Sequence, residues 1–398
     1  MVNVAMIGVG DISGIYLKNI TEVFHGVRLV GVCDLIPERA EKGVAFCKAQ
    51  REKGIECHIP RIYPTMFDAF NDPEVDVILN LTRPYEHYEV SKQALLHGKH
   101  VYSEKPLAAD MAEGDELVEL AKKHNLYMGG APDTFMGAGI QTCRKLIDDG
   151  MIGDVVGSAC FMICHGHETW HHDPAFYYQR GGGPMMDMGP YYLTALLQLM
   201  GEVKGVTGVA RKSFDERLIT SQPYCGQKVA VEVDTHITGT LHFASGAIGT
   251  ILTTFDVHYP SRNQARFEVY GTKGTLLVPD PNTFGGPVRL LRPEDQERPK
   301  PGDPALLNME SNPFYGYRDM PLLFDYRDNS RALGLADMCQ AIQSQREARC
   351  NYRQQHHVLD IMTSIIESSR QGRYLPLKTR YTRTAAMKNN PMHGVLDA

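Results

Sequence analysis

The sequence predicts an α/β fold in two parts: an open parallel sheet wound with helices, then a second part built on an open, mostly antiparallel sheet. Three observations predict it. Val4-Ala5-Met6-Ile7 reads as a strand that runs into a glycine turn, with a helical pattern from Ile15 onward. Residues 76–81 and 99–102 are apolar strands on either side of residues 88–97, which have the apolar spacing of a helix. Beyond about residue 133 alternating strands take over at 155–164, 229–243, 247–258, 265–270 and 275–279, with Ser245-Gly246 and Lys273-Gly274 marking two turns.

At 398 residues the chain is too long for one ordinary core, and 22% charged with 43% hydrophobic residues implies that both parts fold. The net charge of −6 argues against a nucleic-acid or anionic-membrane partner. Nine cysteines, an odd number without C-x-x-C spacing, read as reduced thiols. With no segment long enough to span a bilayer, a cytoplasmic protein is expected.

Taken in order, Gly8, Val9, Gly10, Asp11, Ile12 and Ser13 spell G-x-G-x-x-S between strand and helix. The first glycine allows the tight turn and the second lets backbone approach a pyrophosphate. Ser13 is small enough to stand where a third glycine would let helix and strand pack. The strand at 29–33 ends in Asp34, about twenty residues on, which completes the fingerprint of a Rossmann dinucleotide-binding domain. A carboxylate there accepts bonds from a ribose 2′-OH and repels a 2′-phosphate, so NAD is expected rather than NADP. Arg39, between Glu38 and Glu41, reads as part of a solvated helix face over 37–50. Thr82, Arg83 and Pro84 leave another strand end and are expected along the cofactor; His87, at the start of the next helix, is either a contact or a packing residue. Glu104-Lys105-Pro106 closes the strand at 99–102, and Pro106 fixes Lys105 on a turn at the ligand-binding edge of the sheet. Residues 126–132 form the last strand of this domain. The expected division is 1–132 and 133–398, with the carboxyl-terminal helices able to pack back on the first domain.

In the second part a helix is expected at 135–150. Residues 292–331, rich in Pro, Asp and Asn, are an ordered arm or a lid. Helices return at 332–343 and 357–369, and 387–398 reads as a ragged tail. His167-Glu168-Thr169-Trp170-His171 matches H-E-x-x-H, yet Pro174 and the lack of a helical apolar face put it off a helix, so no metal is expected. His165, His167, His171 and His172 offer donors and acceptors to a polyhydroxylated ring, and Trp170 offers a flat face to a sugar or a nicotinamide. Gly181-Gly182-Gly183 precedes Pro184, which is suited to begin a helix running through Leu199. Asp187 is then expected in its first turn, its charge favoured by the helix dipole, with Tyr191 at i+4 on the same face. The two read as an acid/base pair, or as a cap-region residue and a core residue.

Together G-x-G-x-x-S with Asp34, Glu104-Lys105-Pro106 and the G-G-G-x-x-x-D-x-G segment ending at Tyr191 resemble the Gfo/Idh/MocA family of sugar and inositol dehydrogenases, across roughly residues 3–375. Met151-Ile152-Gly153-Asp154, Trp170 with Asp173-Pro174, and residues 269–276 resemble it too. The resemblance implies an amino-terminal Rossmann domain, an open mostly antiparallel sheet beyond it, and dimers or tetramers built on that sheet. It also implies catalytic roles for Lys105 and Asp187. Members commonly carry histidine where this chain has Tyr191, so proton transfer falls to Lys105 or to Tyr191. The implied activity is oxidation of a secondary hydroxyl of a sugar, glycoside or cyclitol with NAD. The alternative is a redox-neutral NAD-dependent glycosidase of the same fold. Calorimetric titration should show NAD binding more tightly than NADP, and Asp34→Ser should narrow the gap; equal affinities would remove Asp34 from the ribose.

Overall fold

The computed structural model describes residues 1–258, 266–295, 316–389 and 392–397. Its first domain alternates β1 (Val2–Ile7), α1 (Ser13–Glu22), β2 (Val27–Cys33), α2 (Pro37–Glu52), β3 (Arg61–Ile62), α3 (Met66–Asn71), β4 (Val77–Asn80), α4 (His87–Leu96), β5 (His100–Ser103), α5 (Met111–Lys123) and β6 (Met128–Gly130). The strands form one parallel sheet in the order β3-β2-β1-β4-β5-β6. Order reverses between β1 and β4, and the carboxyl ends flanking that reversal carry Gly8 and Thr82, where an open α/β sheet takes its ligand. β1, β4 and β5 are buried almost throughout, as strands covered on both faces must be. Sequence patterning misses α3 and α5, whose starts are set by side-chain caps: Thr65 and Asp68 form a capping box, and the Asp110 carboxylate accepts the Glu113 N–H at 3.0 Å.

The second part contains α6 (Ala138–Asp148), β7 (Val155–Ile163), α7 (Gly183–Met200), β8 (Val203–Arg211), β9 (Glu216–Leu218), β10 (Lys228–Ala230), β11 (His236–Phe243), β12 (Ile248–Thr254), β13 (Arg266–Gly271), β14 (Gly274–Leu277), β15 (Val288–Leu291), β16 (Arg318–Met320), α8 (Leu333–Ser344), α9 (Tyr352–Gln371) and β17 (Leu375–Pro376). The main sheet runs β16-β15-β14-β13-β7-β12-β11-β8-β17, antiparallel except for β7 with β12. The stretch 229–243, expected as one strand, is two: β10 pairs with β9 as a separate ribbon, and β11 begins only at His236. β8 escapes sequence patterning because its inward positions include glycines. A Cβ on Gly208 would lie 2.3 Å from the Ile365 carbonyl oxygen, so the strand omits side chains where α9 crosses it.

α7 and α9 pack on one face of this sheet, and α9 also lies against α5 and β6, tying the halves together. One expectation lies partly outside the described residues and another needs correction. Within 292–331, residues 296–315 fall outside the described residues, while the remainder adds β16 to the sheet edge and leads through a loop to Arg331. The supposed ragged tail is docked: Met387 and Leu396 are buried, the Gly394 carbonyl accepts the His25 N–H at 3.0 Å, and Asp397 pairs with Arg349 at 2.8 Å. Arg349 is buried and makes its second ion pair with the fully buried Asp337, so charge neutralisation pulls the tail in. Asp397→Asn suits the positive φ of 55° at that position and removes only the charge. It should cost about 1.5–3 kcal/mol, read as a lower midpoint in urea; an unchanged midpoint would mean the tail merely rests on the surface.

Candidate active site

The glycine turn is shaped by close contacts. Gly8 has φ 92°, and a Cβ there would meet the Leu81 carbonyl oxygen at 2.8 Å. Ser13 Oγ donates to the Gly10 carbonyl at 2.6 Å, so the serine closes the turn as well as fitting the small-residue position. α1 starts without a side-chain cap and without an acidic residue in its first turn, leaving its N–H groups to an anion. A Cβ on Gly10 would find no neighbour within 4 Å, which leaves backbone open to a pyrophosphate. Asp34 holds the loop as well as facing its mouth: Oδ2 accepts the Val9 N–H at 2.7 Å and Oδ1 accepts the Ile36 N–H at 2.8 Å. Asp11 and Ile12 lie on the rim, with the Asp11 side chain 74% exposed. These residues fit an NAD pyrophosphate and adenosine ribose.

The next strand end is braced from beneath. Thr82 Oγ1 donates to Asn80 Oδ1 at 2.6 Å, and Pro84 lies near the glycine run at Gly181. Arg83 reaches across to the histidine-rich loop, where Nη2 meets Asp173 Oδ2 at 2.6 Å. Of the two readings of His87, contact or packing residue, the structure takes the second. It is 1% exposed, with Nδ1 2.8 Å from the Pro106 carbonyl oxygen and Nε2 3.0 Å from that of Thr82. Burial lowers its pKa, and it acts as a strut between the two strand-end loops.

Lys105 extends from that braced turn to α7. Its Nζ donates to Asp187 Oδ1 at 2.6 Å and to the Asp187 backbone carbonyl at 2.8 Å, and lies 5.3 Å from the centre of the Tyr191 ring. Asp187 is the fifth residue of the helix rather than a first-turn residue, because α7 begins at Gly183. Its charge therefore owes less to the helix terminus than the sequence suggests. Burial opposes ionisation of Asp187, but Lys105 and His167 overcome this and hold its carboxyl well below the usual range. Burial likewise opposes the Lys105 charge, and Asp187, Tyr191 and Glu104 together raise its pKa. Of the two roles open to Lys105, this arrangement favours the charged ammonium over a neutral amine. Tyr191 is not a phenolate either, since burial raises its pKa against the lowering effect of Lys105. Its hydroxyl hydrogen-bonds the guanidinium of Arg331, which donates Nη2 to Asn282 Oδ1 at 2.7 Å. Glu104, also buried, accepts from Tyr16 at 2.8 Å and from the Lys105 N–H at 3.1 Å. It supports the turn from behind instead of facing the cofactor mouth. Arg331, Tyr16 and Asp133 adjoin these groups and carried no motif.

The histidine-rich loop divides its residues. His167 Nε2 meets Asp187 Oδ2 at 2.9 Å, with its ring against Tyr177, Phe255 and Trp170 at centroid distances of 4.0, 4.8 and 5.1 Å. Trp170 is 64% exposed. Glu168 turns inward to Arg217 and Tyr178 and is 1% exposed, so H-E-x-x-H does not converge on one point. His165 belongs to that inner cluster, 3.4 Å from Glu168 and stacked on His258 at 3.7 Å; it is not brought to Lys105 by any contact among the described residues. His171 and His172 stack on each other and face Asp11, with nitrogens 3.9 and 3.5 Å from its Oδ2. These three groups place potential ligand atoms within 4.8 Å of one another. His171 Nδ1, however, accepts the Asp173 N–H at 3.0 Å, which leaves the proton on the nitrogen facing Asp11. That suits a loose polar contact between the loops better than a metal.

Residues 2–129 match the profile described as "Oxidoreductase family, NAD-binding Rossmann fold", and residues 140–277 match "GFO/IDH/MocA C-terminal domain". The chain belongs to the Gfo/Idh/MocA family. Levoglucosan dehydrogenase of Pseudarthrobacter phenanthrenivorans is 26% identical over 223 residues, 52% of this chain and 56% of that one. Inositol 2-dehydrogenase/D-chiro-inositol 3-dehydrogenase of Lactiplantibacillus plantarum is 30% identical over 152 residues, 38% and 41% of the two chains. The chain thus spans about half the length of these curated relatives. A levoglucosan dehydrogenase in complex with NADH and L-sorbose superimposes with a TM-score of 0.74 at 21% identity, covering 95% of this chain and 99% of that one. The aldose-aldose oxidoreductase from Caulobacter crescentus gives 0.70 at 23% identity, covering 94% and 99%. The fold is therefore that of Gfo/Idh/MocA structures, with NAD as the cofactor of the first domain. Among the described residues no helix is long and apolar enough to cross a membrane.

Since Asp187 does most to raise the pKa of Lys105, Asp187→Asn should let burial lower it. The pH dependence of Lys105 acetylation by acetic anhydride, followed by mass spectrometry, should shift to lower pH in the variant. An unshifted profile would assign the ammonium's stability to other groups.

Proposed function

We propose that the protein oxidises a secondary hydroxyl of a sugar, glycoside or cyclitol, with NAD as hydride acceptor. The observation that carries this reading is the Lys105 ammonium, fixed at the carboxyl end of β5 and tied to α7 through Asp187. The bound cofactor supplies the two-electron chemistry. This chain's own residues must hold the alcohol, stabilise the negative charge that grows on its oxygen, and receive its proton.

An ammonium has three N–H groups, and Asp187 occupies two. The third remains for a substrate hydroxyl, where a fixed positive charge in a partly buried site stabilises developing alkoxide character. Asp187 orients the amine, and the Tyr191 ring beneath it, anchored by Arg331, limits where it swings. The exposed Trp170 face and the imidazoles beside it suit a polyhydroxylated ring, which offers apolar C–H faces and many hydroxyls. The names of the relatives, levoglucosan and inositol dehydrogenases, support the same substrate class. No observation in the site favours redox-neutral glycoside cleavage. We further propose that copies associate through the face of the main sheet left uncovered by α7 and α9.

Lys105→Met keeps much of the stem and removes the charge. Turnover, followed as NADH absorbance over a panel of sugars, glycosides and cyclitols, should fall at least ~10²-fold. NAD affinity by calorimetry should change little and reports that the variant is folded. A variant that keeps most of its turnover would remove Lys105 from the reaction.

A further inference from the structure

The oxidation proposed above releases a proton, and neither group first expected to take it is free to do so. Lys105 and Tyr191 both hold their protons, the one stabilised by Asp187 and the other by burial. The Asp187 carboxylate is occupied on both oxygens, by Lys105 and by His167. His167 is the remaining titratable side chain joined directly to this pair, and imidazole is the side chain that changes charge near neutral pH.

We propose that His167 is the general base of the reaction, taking the substrate hydroxyl's proton on Nδ1 while Asp187 holds Nε2–H. Geometry fixes the tautomer. An ionised carboxylate only accepts, so the 2.9 Å contact between Asp187 Oδ2 and His167 Nε2 requires the proton on Nε2, and in the neutral imidazole this leaves the lone pair on Nδ1. That nitrogen has no hydrogen-bond partner among the described residues, and the side chain is 12% exposed. Tyr177, Phe255 and Trp170 hold the ring from three sides, so its orientation is set before substrate arrives. The charged or titratable groups around it are Asp187 from α7, with Lys105 behind it, and His171 and Tyr177 from its own loop.

The balance closes without a further reactant. The O–H bond breaks and its proton goes to Nδ1; the freed electron pair forms the C=O bond as the carbon loses hydride to the cofactor. Lys105 remains an ammonium throughout and Asp187 a carboxylate, which then stabilises the imidazolium. Carboxylate, imidazole and substrate oxygen stand in the order used by a nucleophile's base and its orienting acid.

This assignment rests on the dehydrogenase reading, and its test is built to separate the two. In wild type kcat/KM should rise with pH through one acidic limb and level off. His167→Gln, which keeps a donor for Asp187 but no base, should lower turnover ~10²- to 10⁴-fold and lose that limb, with NAD affinity unchanged. His167→Ala should be partly rescued by added imidazole. Nitrogen NMR of histidine-labelled enzyme, with the His167 signal identified by its loss in His167→Gln, should show Nε2 protonated and Nδ1 bare. A limb that persists in His167→Gln, near-wild-type turnover in that variant, or a proton on Nδ1 overturns the assignment. The NMR measurement needs no substrate, so a wild type that forms no NADH with any polyol defeats the dehydrogenase reading by a different result.

Discussion

The site depends on one largely buried ion pair, Lys105 with Asp187, whose two halves come from different domains. Taking both charges out of water is costly, and their attraction compensates only because the geometry is close and the surroundings supply further bonds. Lys105 is given two acceptors on Asp187, and Asp187 is given His167 on its other oxygen. Behind them lies a second layer of burial, where Glu104 receives Tyr16 and the Lys105 N–H, and Asp133, pushed up to about 6 by burial, accepts the Gly334 N–H at 3.0 Å. Removing either member of the central pair leaves the other charged and underpaired. The turn after β5 and the first turns of α7 are therefore positioned as one unit.

The same constraint explains what could be read from residue order. Gly8, Gly10 and Asp34 are legible because a tight turn, an open backbone and a carboxylate at fixed spacing are local requirements. Lys105 is legible because Pro106 follows it at the end of an apolar strand. Asp187 and Tyr191 share a helix face by spacing alone, and the structure places Lys105 against both. The parallel sheet follows from buried strands alternating with helices, and most of the antiparallel strands from their period of two.

What was not legible is long-range. His167 and Asp187 are twenty residues apart, and nothing local announces that their side chains meet. Arg331 comes from the end of a segment without periodicity, yet it reaches Tyr191. His87 could be contact or packing by its place after a strand end, and two backbone carbonyls closing on its ring decide for packing. β8 loses its alternation to α9, and the tail's fixed position is dictated by Arg349, nearly fifty residues earlier. Each miss is a case in which tertiary neighbours, rather than local preference, decide a residue's environment.

The docked tail and α9 together also bear on how ligands come and go. α9 lies across α5 and β6 of the first domain, and the tail reaches His25 just beyond α1, so the two domains are fastened at more than one place. Wide hinge opening would break buried contacts on both sides. The links across the mouth are of another kind: Arg83 with Asp173, and Asp11 with His172, are pairs between partly or largely exposed side chains. Such pairs weaken within the range of ordinary ionic strengths, whereas the apolar seams of α9 do not. The contacts that span the mouth are accordingly the ones most sensitive to the ionic composition of the medium, while the seam of α9 is not.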